Sequence, residues 1–321
     1  MNDTKLGCLD RLELDAADLV IAHPPVLRNG HKLEVYRAIG GATARGRVGY
    51  TRWAERPLPE RVGDRRAALS ASPDVFLYEG DDAGAWYVNF ADPRLFVAYG
   101  SGLLAQDELQ VLEHPTLGSL REALLARRLP AVTEEAGGPT PVLVTGVERR
   151  CALDTTPDLP RPRGLYGNQF AAAPWKSIES ALTILDPPTR TNLIAMAAPV
   201  GSGGYRRDEL ARILSTAWTA FSAAAEESRR LWPAAPVHVH TGFWGCGAFG
   251  GNRTVMVALQ IVAAHLSGLD HLTFHAFDAS GIHDYDEGAT CARALAEEGT
   301  TAALLDRLLA RGLPWGVGDG N

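Results

Sequence analysis

The sequence predicts an α/β protein: a mixed, mostly parallel sheet flanked by helices, with a helical or irregular N-terminal extension. Three observations lead there. Short runs rich in β-branched and aromatic residues alternate with stretches of helical periodicity, the pattern of strand–helix–strand units. A glycine-rich turn at residues 242–251 joins a strand-like segment to a helix-like one. Residues 206–232 carry one apolar stripe, Leu210, Ile213, Leu214, Ala217, Trp218 and Phe221, at three- and four-residue steps, which is the face of a helix packed on a sheet.

In chain order, residues 1–65 read as irregular with short helices, rich in Arg and Gly. The acidic turn at 79–82 precedes Trp86-Tyr87-Val88-Asn89-Phe90, which has strand composition. Residues 103–112 and 117–129 have helical periodicity, the second ending at Pro130. Strands are expected at 141–146 and 193–197, separated by a Pro-, Arg- and Gly-rich stretch, 153–175, that reads as one long loop. After the long helix, stopped by Pro233, come a strand at 236–240, the glycine turn, an apolar helix over 254–267 with Gly268 as its C-cap, a strand at 272–277 and a last helix at 288–311.

The chain has 321 residues and a formal net charge of -7, which argues against a broad surface for duplex nucleic acid or anionic lipid. Cys8, Cys151, Cys246 and Cys291 are scattered, without the spacing of a disulfide framework or a Cys-based zinc site. The polar N-terminus lacks a signal-peptide core, and no apolar run reaches the roughly 20 residues of a membrane span, so a cytoplasmic protein is expected. His238, His240, His271 and His275 alternate along two expected strands and invite a metal reading, but no carboxylate spacing accompanies them and no metal is expected. Ser177, Ser202 and Ser215 lack a nucleophile-elbow context.

The densest chemistry lies in Gly242-Phe243-Trp244-Gly245-Cys246-Gly247-Ala248-Phe249-Gly250-Gly251-Asn252. Glycines before a helix let the backbone approach a ligand, and the helix N-terminus favours an anion such as phosphate. Gly245, Gly247 and Gly250 also satisfy the literal dinucleotide pattern, with Asp270 twenty residues beyond Gly250, so an NAD-dependent oxidoreductase is one reading. A tight turn with no ligand is the bland one.

Residues 241–278 resemble the C-terminal signature of the poly(ADP-ribose) glycohydrolase family, a G-N-W-G-C-G-A-F-G-G-D loop, an apolar helix and a strand ending near F-x-D. Nine of the eleven positions 242–252 agree, Phe243 and Asn252 being the departures. Upstream, Val88-Asn89-Phe90-Ala91-Asp92 resembles the family's V-D-F-A-N strand, and Gln106-Asp107-Glu108 its Q-E-E triplet. The resemblance implies a macrodomain-like core over 71–321 with residues 1–70 as an extension packed on it.

The resemblance further implies a metal-independent glycosidase, without a cofactor, acting on an ADP-ribosyl or related nucleotide glycoside through an oxocarbenium-like state. Glu108 takes the place of the general acid/base, and Asp107 and Gln106 those of residues at the ribose. Asn89, Phe90 and Asp92, the loop Gly245, Cys246, Gly247, Ala248, Phe249, Gly250 and Gly251, together with Tyr166 and Phe277, would line the substrate site. Where the family has a glycine triplet this chain has Phe96-Val97-Ala98, which points away from the polymer and towards a small or singly modified substrate. A module that binds ADP-ribose without hydrolysing it is the alternative.

Overall fold

A computed structural model describes residues 7–76, 78 and 83–318. In chain order these carry β1 (Cys8–Asp15), α1 (Ala16–Ala22), α2 (Gly30–Ala38), β2 (Arg47–Trp53), β3 (Ala68–Ser72), β4 (Ala85–Ala91), α3 (Gln106–Glu113) and α4 (Thr116–Ala126). The two-residue strands β5 (Glu134–Glu135) and β6 (Gly138–Pro139) follow, then β7 (Val142–Leu153), α5 (Gln169–Ala172), α6 (Trp175–Ala181), β8 (Leu182–Ala197) and α7 (Arg207–Leu231). The chain closes with β9 (His238–Gly242), α8 (Arg253–Ser267), β10 (His271–His275), α9 (Ala279–Leu295) and α10 (Thr301–Leu309).

Eight strands form one sheet in the order β1-β2-β7-β8-β4-β9-β10-β3. From β8 to β3 neighbouring strands are parallel; β1, β2, β7 and β8 pair antiparallel. Side-chain alternation along the central strands builds two cores. Trp86 and Val88 of β4 and Ile194 and Met196 of β8 face α7, α8, α9 and α10. Ala85, Tyr87 and Ala91 of β4 and Leu193 and Ala195 of β8 face α1 and α4. Strands covered on both faces read as continuous apolar runs, which is why β4 and β8 stand out in the sequence.

The Schellman-type end of α8 is as expected, Gly268 adopting the left-handed conformation at φ 67°. Elsewhere the structure corrects the reading. The N-terminal extension carries α1 and α2, and also β1 and β2, which are strands of the main sheet; residue 70 lies within β3. The stretch 153–175 is not one loop but holds α5 and the start of α6. The last helix is two, α9 and α10, broken ahead of Thr300, whose side chain caps α10 by accepting from Ala303 N. The acidic turn 79–82 lies outside the described residues.

A third, smaller core joins the extension to the rest: Val35 and Ile39 of α2 meet Leu104, Leu112 of α3, and Leu165, Phe170 and Ile178. The connection from β4 to α3 runs beneath this contact. The amides of Arg28 and Asn29 both donate to Gly100 O, at 2.9 and 3.0 Å. A Cβ on Gly100 would lie 2.2 Å from Val26 O. Gly100→Ala is therefore expected to destabilise the fold by about 1–3 kcal/mol, read as a lower urea midpoint at unchanged slope.

Candidate functional site

The parallel strands β8, β4, β9 and β10 end on the same side of the sheet. The connection from β4 packs α4 on one face, and that from β8 packs α7 on the other, so β4 lies where the connections diverge. The crevice outside the carboxyl ends of strands at such a switch point is where open α/β sheets bind ligands.

At that end of β4 the backbone and α3 are locked together. Asn89 Nδ2 donates to Asp107 Oδ1 at 3.0 Å, and Gln106 Oε1 accepts from Phe90 N at 2.8 Å. Gln106 Nε2 donates to Val88 O and to the Tyr78 hydroxyl. Tyr166, half in solvent on its loop, accepts from Gln106 N at 3.2 Å and so satisfies one of the free amides at the helix start. Ala105 at the N-cap has no side-chain acceptor, and Glu108 Oε2 reaches back to accept from Ala105 N at 3.0 Å.

Asp107 and Glu108 are thus adjacent, buried carboxyls at the first turn of α3, 6% and 4% exposed. Both are pushed above the ordinary carboxylate range. For Asp107 burial is the largest cause and the Glu108 charge the next; the Asn89 amide opposes them. For Glu108 burial again dominates, opposed by the positive charge of Lys32 and the amides at the helix start. Burial overrides the helix N-terminus, which alone would favour ionisation.

The Gln106 amide is engaged by Phe90 N, Val88 O and the Tyr78 hydroxyl, which anchors the start of α3 to β4. Asn89 is wholly buried, its Nδ2 given to Asp107. Phe90 stands half-buried beside Phe76, ring centroids 6.4 Å apart. Asp92 follows the strand and accepts from Arg94 N at 2.8 Å. Where the glycine triplet was missed, Phe96 itself takes a left-handed conformation at φ 52° and is fully buried. A buried bulky residue with positive φ fills the loop with side chain rather than opening its backbone.

The glycine loop leaves β9 at the same sheet end. Gly245 and Gly250 have φ 74° and 64°. Gly251 N donates to Gly245 O at 2.8 Å, closing the turn, and the Asn252 side chain caps α8 by accepting from Val255 N. Among the described residues the amides of Gly247, Ala248 and Phe249 have no hydrogen-bond acceptor, and Ala248 is exposed. Cys246 is half-buried and packs against the main core, its thiol raised by desolvation. Phe277, also left-handed at φ 70°, lies 46% exposed with its ring stacked 6.4 Å from Phe243.

Sequence reasoning missed two neighbours. The C-terminal segment lies along the glycine loop: Gly316 N donates to Gly250 O at 2.6 Å, Asn252 Nδ2 to Pro314 O, and Trp315 stacks on Tyr205 at 4.4 Å. The other is Lys32, wholly buried in α2. Nothing in the local sequence flags either, because the contacts join distant parts of the chain.

The dinucleotide reading fails on placement. Asp270 precedes β10 and so sits at the opposite end of the sheet from the loop; it accepts from Val237 N and pairs with Arg65. The strand order also differs from that of a doubly wound dinucleotide fold. The histidines pack together, His240 Nδ1 and His275 Nε2 sharing a hydrogen bond at 3.1 Å, with burial lowering both, to about 3 and about 4. Among the described residues no group of three or more His, Cys, Asp or Glu is placed to hold a metal ion.

Residues 164–284 match the model of the family "Poly (ADP-ribose) glycohydrolase (PARG), Macro domain fold". Over that stretch the chain is similar to that family. The matched stretch contains the glycine loop, α8 and β10, whereas β4 and α3 precede it. Among solved structures, the chain is similar to the family's enzyme from Thermomonospora curvata, at 14% identity over 87% of this chain and 85% of that one, TM-score 0.41. It is also similar to the Deinococcus radiodurans enzyme in complex with ADP-ribose, at 13% identity over 87% and 93%, TM-score 0.44. A Thermomonospora curvata structure bound to the inhibitor ADP-HPD matches at 16% identity over 70% and 78%, TM-score 0.42. No helix among the described residues is long and apolar enough to cross a membrane.

The raised Asp107 has a consequence for stability. A carboxyl raised by folding costs stability as pH climbs above its unfolded value, 3.8, towards its folded one. Asp107→Asn keeps an acceptor for Asn89 and removes that cost. The variant should gain stability over wild type as pH rises from acid to mildly alkaline, read from paired thermal melts; a difference independent of pH would contradict a raised Asp107.

Proposed function

We propose that the protein hydrolyses an ADP-ribosyl glycoside, with Glu108 as general acid and then general base. The observation that carries this reading is the pair of buried, raised carboxyls held at the carboxyl end of the central strand. A carboxylic acid kept protonated near neutral pH can give its proton to the leaving oxygen as the C1″–O bond breaks. The oxocarbenium-like sugar that forms is then attacked by water, and Glu108, now a carboxylate, takes the water's proton. Asp107, fixed by Asn89, would orient the ribose hydroxyls.

The free amides of Gly247, Ala248 and Phe249 suit the diphosphate, and the exposed, strained Phe277 offers a ring for the adenine. Tyr166 has one face in solvent beside α3 and would close the site from the loop side. With Phe96 filling the position of the glycine triplet and a net charge of -7 opposing a long polyanion, a small or singly modified substrate fits better than the polymer. No resident metal or cofactor enters this scheme, and a cytoplasmic setting accords with it.

Glu108→Gln should lower release of ADP-ribose from ADP-ribosylated protein by at least about 10²–10⁴-fold while leaving calorimetric ADP-ribose binding within a few-fold of wild type. Undiminished turnover in the variant would remove Glu108 from the chemistry. ADP-ribose binding by a wild type that releases nothing would favour the non-hydrolysing binding module.

A further inference from the structure

The chain has three lysines, Lys5, Lys32 and Lys176, against a large excess of arginine, and Lys32 is fully buried in α2. Lysine is almost never wholly buried unless paired, and the effective cost of burying an ammonium is several kcal/mol. Among the described residues Lys32 makes no ion pair. Its Nζ donates instead to two carbonyls of the connection between β4 and α3, Leu103 O at 2.6 Å and Tyr99 O at 2.9 Å. The preceding residues grip the same connection, Arg28 N and Asn29 N donating to Gly100 O. The Asn29 side chain caps α2 by accepting from Lys32 N at 3.1 Å, which fixes the lysine at the first turn.

Neutral carbonyls solvate an ammonium but do not balance its charge. The charged groups that act on Lys32 are Glu108 and Asp107; Glu108, Asp92 and Lys32 act on Asp107, and Lys32 and Asp92 act on Glu108. We propose that Lys32 is a positioning residue for the Asp107–Glu108 pair: its ammonium holds the connection leading into α3 and supplies the positive charge against which the two carboxyls share their protons. A compact point charge suits a site walled by carbonyls better than a planar guanidinium fork, consistent with a lysine here in an arginine-rich chain. Burial brings Lys32 down to about 8, so the ammonium persists at neutral pH.

The proposal rests on Glu108 as the acid but can be tested without turnover. The C=O stretch of protonated carboxyl groups, followed by infrared difference spectroscopy against pH, reports the pair directly, with Glu108→Gln and Asp107→Asn assigning the bands. In Lys32→Met the Glu108 band should persist to a pH higher by about one unit or more, because a nearby cation has been removed; Lys32→Arg should restore most of the wild-type titration. A Lys32→Met protein that is folded by near-ultraviolet circular dichroism yet loses the Glu108 band at the wild-type pH would overturn the proposal.

If Lys32→Met does not fold, the reciprocal measurement decides. With only three lysines to resolve, ¹³C-lysine NMR follows Lys32 itself, and in Glu108→Gln its titration should move to lower pH. An unmoved titration would equally reject the coupling. Wild-type turnover in Glu108→Gln would sink the hydrolytic reading while leaving either coupling result intact, so the two failures remain distinct.

Discussion

Keeping two adjacent carboxyls out of water at the first turn of a helix is the constraint around which the rest of this protein is arranged. Each would ionise freely on the surface; burial raises both, and the Glu108 charge raises Asp107 further. The fold holds them through side chains that bond across the seam between β4 and α3. Asn89 comes up from β4 to hold Asp107, Gln106 ties the helix start to the strand through Phe90 and Val88, and Tyr166 takes the amide of Gln106. These bonds need β4 to be central and fully covered, which in turn needs helices on both faces of the sheet. Glu108 has a structural duty as well, capping Ala105, so the residue proposed to move a proton also closes the helix that presents it.

A second set of contacts gives the other wall its shape. The glycine loop turns back on itself through Gly251 and Gly245, and the segment from Pro314 to Gly318 lies against it. A Cβ on Gly250 would meet Gly316 O at 2.8 Å, so glycine there serves close backbone packing as well as its left-handed φ. The loop thus has an inner side committed to the protein and an outer side, around Ala248, with free amides.

Much of the central fold was legible because single periodicities dominate there. Continuous apolar runs marked β4 and β8, the apolar stripe marked α7, and a glycine after an apolar helix marked the end of α8. The outer strands hid for an equally physical reason. β2 carries Arg52, buried at 5% exposure only because Asp10 and Glu135 pair with it, and a paired buried arginine looks in sequence like an exposed one. Gly299-Thr300, a stop followed by an N-cap, was the available signal that the last helix is two. At the site, Asp107 and Glu108 were singled out by family resemblance; composition alone makes an Asp–Glu pair a solvated face. What no local pattern could supply was the burial of that pair, which depends on residues 16 or more positions away.

The replacement of the family's glycine triplet is where these strands of reasoning meet. Glycines hold a loop close to a ligand by leaving room for it; Leu95 and Phe96 instead anchor this loop by filling the core beneath it. Rigidity lost with one device is recovered by another, since Gly100, Tyr99 and Leu103 are held by their carbonyls from the N-terminal segment. The extension is therefore not an ornament on the core. It completes the sheet through β1 and β2, and through α2 it sets the position of the connection that delivers Asp107 and Glu108 to the end of β4. The acid pair is thus held at the end of β4 by contacts that cross from the N-terminal segment, while the loop before it is fixed by buried side chains.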